Sequence, residues 1–172
     1  MPSPVPTIVP LAGIAADTVE QLLDRAFGPE RHRRTAYLIR QGTAAIPALS
    51  FAALDHGALI GTIQCWPIRL IRDDGGSVPL VMVGPIAVDP SRQGGGIGQQ
   101  LTHHAIRRAE ESGATPLMLI GDPEYYGRFF GFDATATALW RAPGPAEQRR
   151  LLARGAAPAV AGMLAPRQPM PA

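Results

Sequence analysis

Lysine is absent from this chain of 172 residues, because all 16 of its basic residues are arginine. A phosphate-binding loop of the Walker A type needs a lysine, so that class of nucleotide site is excluded. The single cysteine, Cys65, excludes an internal disulfide and fits a reducing compartment. It lies in the middle of an apparent strand without a histidine nearby in sequence, so a catalytic nucleophile is the weaker of its two interpretations.

Long apolar runs are also missing. The longest, residues 80–88, is far shorter than the roughly 20 residues that a membrane-spanning helix needs. The N-terminal "MPSPVPTIVP" has no basic residue and is broken by prolines, unlike a signal peptide. Aromatic residues make up 6% and do not alternate with a basic stripe, so no nucleic-acid partner is indicated. We therefore expect a cytoplasmic, globular protein with neither a membrane nor a nucleic-acid partner.

Hydrophobic periodicity predicts a series of strands followed by a strand–helix–strand unit. This order indicates an α+β fold with a mixed, mostly antiparallel sheet and one parallel crossover over 80–121. Residues 1–165 are predicted to form one domain, and 166–172 a disordered tail. Strands are expected at 5–11, 48–55, 58–71, 80–88, 115–121 and 157–166, and helices at 14–27, 31–40, 97–112, 123–132 and 145–155.

The stretch "SRQGGGIGQQ", residues 91–100, joins the apolar strand to the third helix. Successive glycines at a helix start let backbone amides converge on an anion, and the helix dipole favours its charge. A dinucleotide fingerprint G-x-G-x-x-G fails in both registers, because its last position would be Gln99 or Leu101. The stretch therefore predicts a site for a phosphate or pyrophosphate, the alternative being a loop that only turns a corner.

The spacing Q-x-x-G-x-G of Gln93, Gly96 and Gly98 resembles the acetyl-CoA loop of the GNAT superfamily of N-acetyltransferases. The segment "GDPEYYGRFFGF", residues 121–132, is similar to the small bacterial YhbS-like branch. The resemblance implies a GNAT-like sheet with a splayed central strand pair and flanking helices. It also implies acetyl-CoA as co-substrate without a metal, and a small-molecule or peptide amine as acceptor. It leaves a homodimer open as the oligomeric state.

The same resemblance assigns residues to the co-substrate. Gly84-Pro85 would interrupt the central strand, so that the pantetheine arm pairs with the backbone that follows, while the glycine loop holds the pyrophosphate. Arg128 would neutralise a phosphate. The implied set is Ile86, Ala87, Val88, Gln93, Gly94, Gly95, Gly96, Ile97, Gly98, Gln99 and Arg128.

By resemblance, Tyr126 protonates the departing thiolate, with Tyr125 as the alternate. Gly131 comes five positions after Tyr126, where common family members have an offset of four, so the register between the two tyrosines stays open. Core packing of both rings is the other interpretation. No acid lies in 80–88, and the general base is left unassigned, with Asp122 and Glu124 either candidates or helix caps. A non-catalytic acyl-CoA-binding domain is the alternative function.

Two further groups carry chemistry-bearing side chains. His103 and His104 are adjacent on a predicted helix, about 100° apart, which is unsuited to a shared metal, so we expect an exposed helix face. Arg31, Arg33 and Arg34 could steer an acidic acceptor or form a solvated helix face, the latter being favoured.

Overall fold

The structure is a computed structural model that describes residues 6–168. The chain forms two compact units. The first unit comprises the residues up to His32, Ala45–Cys65 and Gly84–Glu111, and the second comprises Arg33–Ala44, Trp66–Val83 and the residues from Ser112 onward. The strands are β1 Thr7–Pro10, β2 Phe51–Asp55, β3 Ala58–Arg72, β4 Ser77–Val88, β5 Leu117–Ile120, β6 Trp140–Arg141, β7 Leu151–Arg154 and β8 Gly162–Pro166, and the helices are α1 Ala16–Phe27, α2 Thr35–Ile39, α3 Ile97–Ser112 and α4 Pro123–Phe130.

In the first unit, β1 pairs with β2 and β2 with the first part of β3, both antiparallel. The apolar face of α1 packs against residues of this sheet, because its buried side chains recur at helical spacing. On β3, a Cβ at Gly61 would lie 2.9 Å from Ile97 and 3.1 Å from Leu101, so glycine permits the close approach of α3. The α1 cluster contains Leu11, Val19, Leu22, Leu23, Ala52 and Ala87.

In the second unit, β5 pairs in parallel with β4 and antiparallel with β7. The second part of β3 pairs antiparallel with β8, and β8 pairs in parallel with β6. The core of this unit surrounds Trp140, which is fully buried and whose indole N–H donates a hydrogen bond of 3.0 Å to the carbonyl of Pro158. This bond satisfies a polar group that would otherwise be costly to bury.

The predicted fold class, α+β with a mostly antiparallel sheet, is confirmed. The helix predicted over 145–155 is wrong, because a short 3-10 turn, Gln148–Arg150, leads into strand β7. Leu151, Leu152 and Ala153 are all buried, which a strand packed on both faces allows and a surface helix does not. That residues 1–165 form one domain stays a prediction.

Several predicted boundaries also change. The second helix is shorter than 31–40, because a 3-10 turn occupies Pro29–Arg33 before α2. The last strand begins at Gly162 rather than 157. The predicted disordered tail begins too early, since Pro166 ends β8 and the Arg167 amide donates to Pro67, at 3.2 Å. Residue 5 and residues 169–172 lie outside the described part of the chain.

Within residues 6–168, no helix combines the length and the apolar character needed to cross a membrane.

Candidate functional site

The glycine loop lies in the first unit, between a 3-10 turn at Pro90–Arg92 and the start of α3. Gly94 and Gly96 have φ of +91° and +78°, a backbone conformation that L side chains rarely adopt. A Cβ built on either residue would meet no protein atom within 4 Å. The glycines are therefore required by the backbone, and they leave open space beside the first turn of the helix.

The first turn of α3 faces this loop with its backbone amides. The amide of Gln100 donates to the carbonyl of Gly96 at 3.0 Å, as the helix begins. The amides of Ile97, Gly98 and Gln99 belong to the first turn, for which an α-helix provides no carbonyl of its own. Because the side chain of Ile97 is buried, this residue would contact a ligand through its backbone amide. Amides and helix dipole together suit a phosphate.

The last residues of β4 pack against the same helix start. A Cβ on Gly98 would lie 3.6 Å from the side chain of Val88 and 3.8 Å from that of Ile86, which is ordinary contact. Ala87 points to the other face and is buried in the α1 cluster. Because the Ala87 side chain is buried and those of Ile86 and Val88 lie beside the start of α3, this segment would contribute to a ligand through its main chain. The strand departs from regular geometry at Gly84, where φ is +124°.

Two ion pairs that sequence reasoning missed flank the loop. Arg92, directly before the predicted loop residues, bonds to Asp55 with 2.6 Å between nitrogen and oxygen. Arg25 of α1 lies 3.4 Å from Asp89. The Asp89 carboxylate also accepts bonds from the Ser91 amide and hydroxyl, and these bonds lower the pKa of Asp89. The sequence Asp89-Pro90-Ser91 is typical of a turn, but no local sequence pattern indicates either ion pair.

The two candidate tyrosines lie on α4, in the second unit. The Tyr126 ring packs 4.9 Å from Tyr125, 5.9 Å from Phe130 and 6.3 Å from Phe132, measured between ring centroids. Burial, and secondarily the neighbouring Tyr125, raises the pKa of Tyr126 to about 12. The Tyr126 phenol therefore keeps its proton at neutral pH, so it can donate that proton or a hydrogen bond there.

The two acids at the start of α4, Asp122 and Glu124, are exposed rather than buried. Asp122 caps the helix by accepting the amide of Glu124 at 3.0 Å. Hydrogen bonding with the side chain of Glu124, and then with its backbone amide, lowers the pKa of Asp122. Glu124 lies 3.6 Å from Arg149 and is exposed. The capping interpretation of Asp122 is therefore supported by its contacts.

The structure brings some of the predicted residues together and assigns others to a separate unit. The backbone of 86–88 and the loop of 93–99 both belong to the first unit and meet at the start of α3. Tyr125, Tyr126 and Arg128 belong to the second unit. Arg128 is exposed, with its guanidinium carbon 5.2 Å from the centroid of the Phe129 ring.

Two expectations about other side chains change, and a third is confirmed. Arg31 does not lie on a solvated face: it is 4% exposed and forms ion pairs with Glu20 and, at 3.0 Å, with Asp24. His104 is half-buried and meets Phe51 edge-on at 4.4 Å, and burial lowers its pKa. His103 is exposed, as expected.

Cys65 is buried, and burial raises the pKa of its thiol to about 12. A thiolate is the nucleophilic form of cysteine, so a nucleophile at this position is disfavoured. Within the part of the chain that is described, no cluster of three or more histidine, cysteine or acidic residues could hold a metal ion.

Comparisons with known proteins identify the family of this chain. The model of the Acetyltransferase (GNAT) family matches residues 16–132, more than half of the chain. The uncharacterized N-acetyltransferase YhbS of Escherichia coli (strain K12) is 28% identical over 123 residues, which are 72% of this chain and 71% of YhbS.

Solved structures show the same fold. The E. coli GNAT family N-acetyltransferase YhbS, in complex with CoA, matches 97% of this chain and 92% of its own, with a TM-score of 0.74 and 23% identity. A GNAT family acetyltransferase from Brucella melitensis, in complex with acetyl-CoA, matches 88% and 96%, with a TM-score of 0.54 and 25% identity. The chain therefore belongs to the GNAT family of acetyltransferases.

Proposed function

We propose that this chain transfers the acetyl group of acetyl-CoA to an amine by direct attack, without a covalent enzyme intermediate. The observation that carries the proposal is the glycine loop: two glycines at positive φ leave open space beside the first-turn amides of α3. The loop lies within the region that matches the GNAT family. The solved relatives from E. coli and B. melitensis hold CoA and acetyl-CoA, which supports the same co-substrate here.

The loop and the end of β4 divide the binding of acetyl-CoA between them. The pyrophosphate lies against the amides of residues 94–99, where helix dipole and donors favour negative charge. The side chain of Gln93 and the guanidinium of Arg128 contribute further polar contacts to the phosphates. The pantetheine arm pairs with the main chain of 86–88, and an amide of that segment polarises the thioester carbonyl as negative charge develops on its oxygen.

Tyr126 supplies the proton for the leaving group, with Tyr125 as the alternate. The neutral amine attacks the thioester carbon, a C–N bond forms, and the C–S bond breaks with its electron pair going to sulfur. The phenol donates its proton to this thiolate and is reprotonated from the amine nitrogen through solvent. A phenol that holds its proton at neutral pH suits a donor, and positioned acids contribute about 10²–10⁴ in rate.

The test is the release of CoA thiol from acetyl-CoA across amines of different classes: an alkyl polyamine, an aminosugar, a free amino acid and a peptide with a free N-terminus. We expect amine-dependent thiol release with at least one class, and an acetylated amine detected by mass spectrometry. Release without an amine measures background hydrolysis. Tight CoA binding with no turnover on any class would contradict the enzymatic proposal and favour a binding domain.

A further inference from the structure

Gly121 is the residue between β5 and the Asp122 cap of α4. A Cβ built on Gly121 would lie 2.5 Å from Cε2 and 2.8 Å from Cδ2 of the Tyr126 ring. Non-bonded carbons prefer about 3.5–4.0 Å, so the ring occupies the volume that any larger residue would need. Replacing Gly121 therefore requires the Tyr126 ring to move.

The backbone does not explain a glycine at this position. Gly121 is not among the glycines with positive φ, so an L residue could adopt its conformation without strain. Its amide donates to the carbonyl of Arg150 at 3.0 Å, a bond that every residue except proline can make. The contact with Tyr126 is the feature that distinguishes glycine from alanine here, together with a Leu119 methyl at 3.0 Å from the built Cβ.

The other sides of the Tyr126 ring are aromatic. Tyr125, Phe130 and Phe132 pack around it, and Phe132 also donates its amide to the Tyr126 carbonyl at 3.2 Å. A Cβ at Gly121 would therefore press the ring against an aromatic cluster that has little room to yield. The ring would leave this place by rotation about its side-chain torsions, and its hydroxyl would move with it.

We propose that Gly121 is a positioning residue for catalysis, its missing Cβ fixing the orientation in which Tyr126 presents its hydroxyl to the leaving thiolate. The inference rests on the proposed function, in which Tyr126 is the proton donor. It also gives a physical distinction between the adjacent tyrosines, because the Gly121 contact is made by Tyr126.

The first experiment compares Gly121→Ala, Tyr126→Phe and the double variant in the acetylation assay. We expect Gly121→Ala to lower kcat by 30-fold or more, with a KM for acetyl-CoA within about 2-fold of wild type. The double variant should be no slower than Tyr126→Phe alone, because both changes remove the same proton donor. Full activity of Gly121→Ala, where Tyr126→Phe is impaired, would overturn the proposal.

The second experiment locates the ring without using activity. The chain has three tyrosines, so labelling with 3-fluorotyrosine gives a simple ¹⁹F NMR spectrum, and Tyr126→Phe identifies the Tyr126 resonance by its loss. Gly121→Ala should shift the Tyr126 resonance and leave that of Tyr37 in place. An unmoved Tyr126 resonance would overturn the positioning role. A shifted resonance with a fully active Tyr126→Phe variant would instead refute the proton-donor role of Tyr126.

If Gly121→Ala does not fold, the pair Gly121→Ala/Tyr126→Ala decides the question. Removing the ring removes the two contacts shorter than 3.0 Å and leaves the Leu119 methyl at 3.0 Å, a side-chain contact that can yield by a few tenths of an ångström. This double variant should therefore be nearly as stable in urea denaturation as Tyr126→Ala alone. A double variant that also fails to fold would show that Gly121 serves something other than the Tyr126 ring.

Discussion

Replacing Gly96 by valine separates backbone strain from contact with a ligand. Gly96 has φ of +78° and a Cβ built on it lies in open space, so the first carbon of a valine side chain meets backbone strain rather than a clash. A non-glycine residue held in this region costs about 1–3 kcal/mol, which is the expected loss in the free energy of unfolding. The isopropyl group would project into the open space proposed for the pyrophosphate. We expect CoA affinity to fall by 100-fold or more, equivalent to about 2.8 kcal/mol.

Gly113 offers a matched control at the other end of α3. Its φ is +72°, and a Cβ there also meets nothing within 4 Å. Gly113→Val should therefore lose about the same 1–3 kcal/mol of stability while binding CoA as wild type does. Urea denaturation measures the stabilities, and isothermal titration calorimetry measures the dissociation constants. Equal CoA affinities for the two variants would refute the assignment of the loop to the pyrophosphate.

Three further outcomes are expected. CoA at about 100 times its dissociation constant should stabilise the native state by about 2.7 kcal/mol and raise Tm by about 5–11 °C in calorimetry, with smaller shifts from NAD and ATP; an equal shift from NAD would contradict the site. Tyr126→Phe should lower kcat by about 10²–10⁴ with little change in the KM for acetyl-CoA, and Tyr125→Phe is its control; loss of activity in Tyr125→Phe alone would exchange their roles. Burial raises the pKa of Cys65 from 9.0 to about 12 and that of Tyr126 from 10.0 to about 12. Once the pH exceeds the unfolded values of 9.0 and 10.0, the unfolded chain binds fewer protons than the folded chain, so the free energy of unfolding should fall as the pH rises towards 12. In denaturation at a series of pH values, Tyr126→Phe should flatten this decline, and an unchanged slope would contradict the burial argument.

Features that depend on a short stretch of sequence could be predicted. Helix α1 follows from apolar residues at helical spacing, because local periodicity decides which face is buried. The glycine loop could be found because its signal, closely spaced glycines directly before a helix, is equally local. Strand β7 could not be predicted, because Leu151–Arg154 resembles the end of an amphipathic helix. This segment becomes a strand by pairing with β5, which lies more than 30 residues earlier in the chain.

The charges and contacts around the candidate site were harder to foresee. Arg31 looks like one member of a basic surface cluster, yet it is buried and forms ion pairs with carboxylates 7 and 11 residues earlier in the chain. The pair of Arg92 with Asp55 joins the 3-10 turn before the glycine loop to the end of β2, and sequence spacing does not connect them. Gly121 reads as a turn residue before Asp-Pro, because its steric contact with Tyr126 depends on how the following helix is oriented. Such contacts arise from tertiary packing and leave no periodic pattern.

The division into two units determines what light can report about this protein. Both tryptophans, Trp66 and Trp140, and all three tyrosines belong to the second unit, whereas the first unit contains phenylalanine as its aromatic residue. Intrinsic fluorescence and the near-ultraviolet signals of indole and phenol therefore originate in the second unit alone. Far-ultraviolet circular dichroism reports on backbone in both units, including α1 and most of α3. Coincidence of the fluorescence and circular dichroism unfolding curves would thus measure directly whether the two units melt as a single cooperative body.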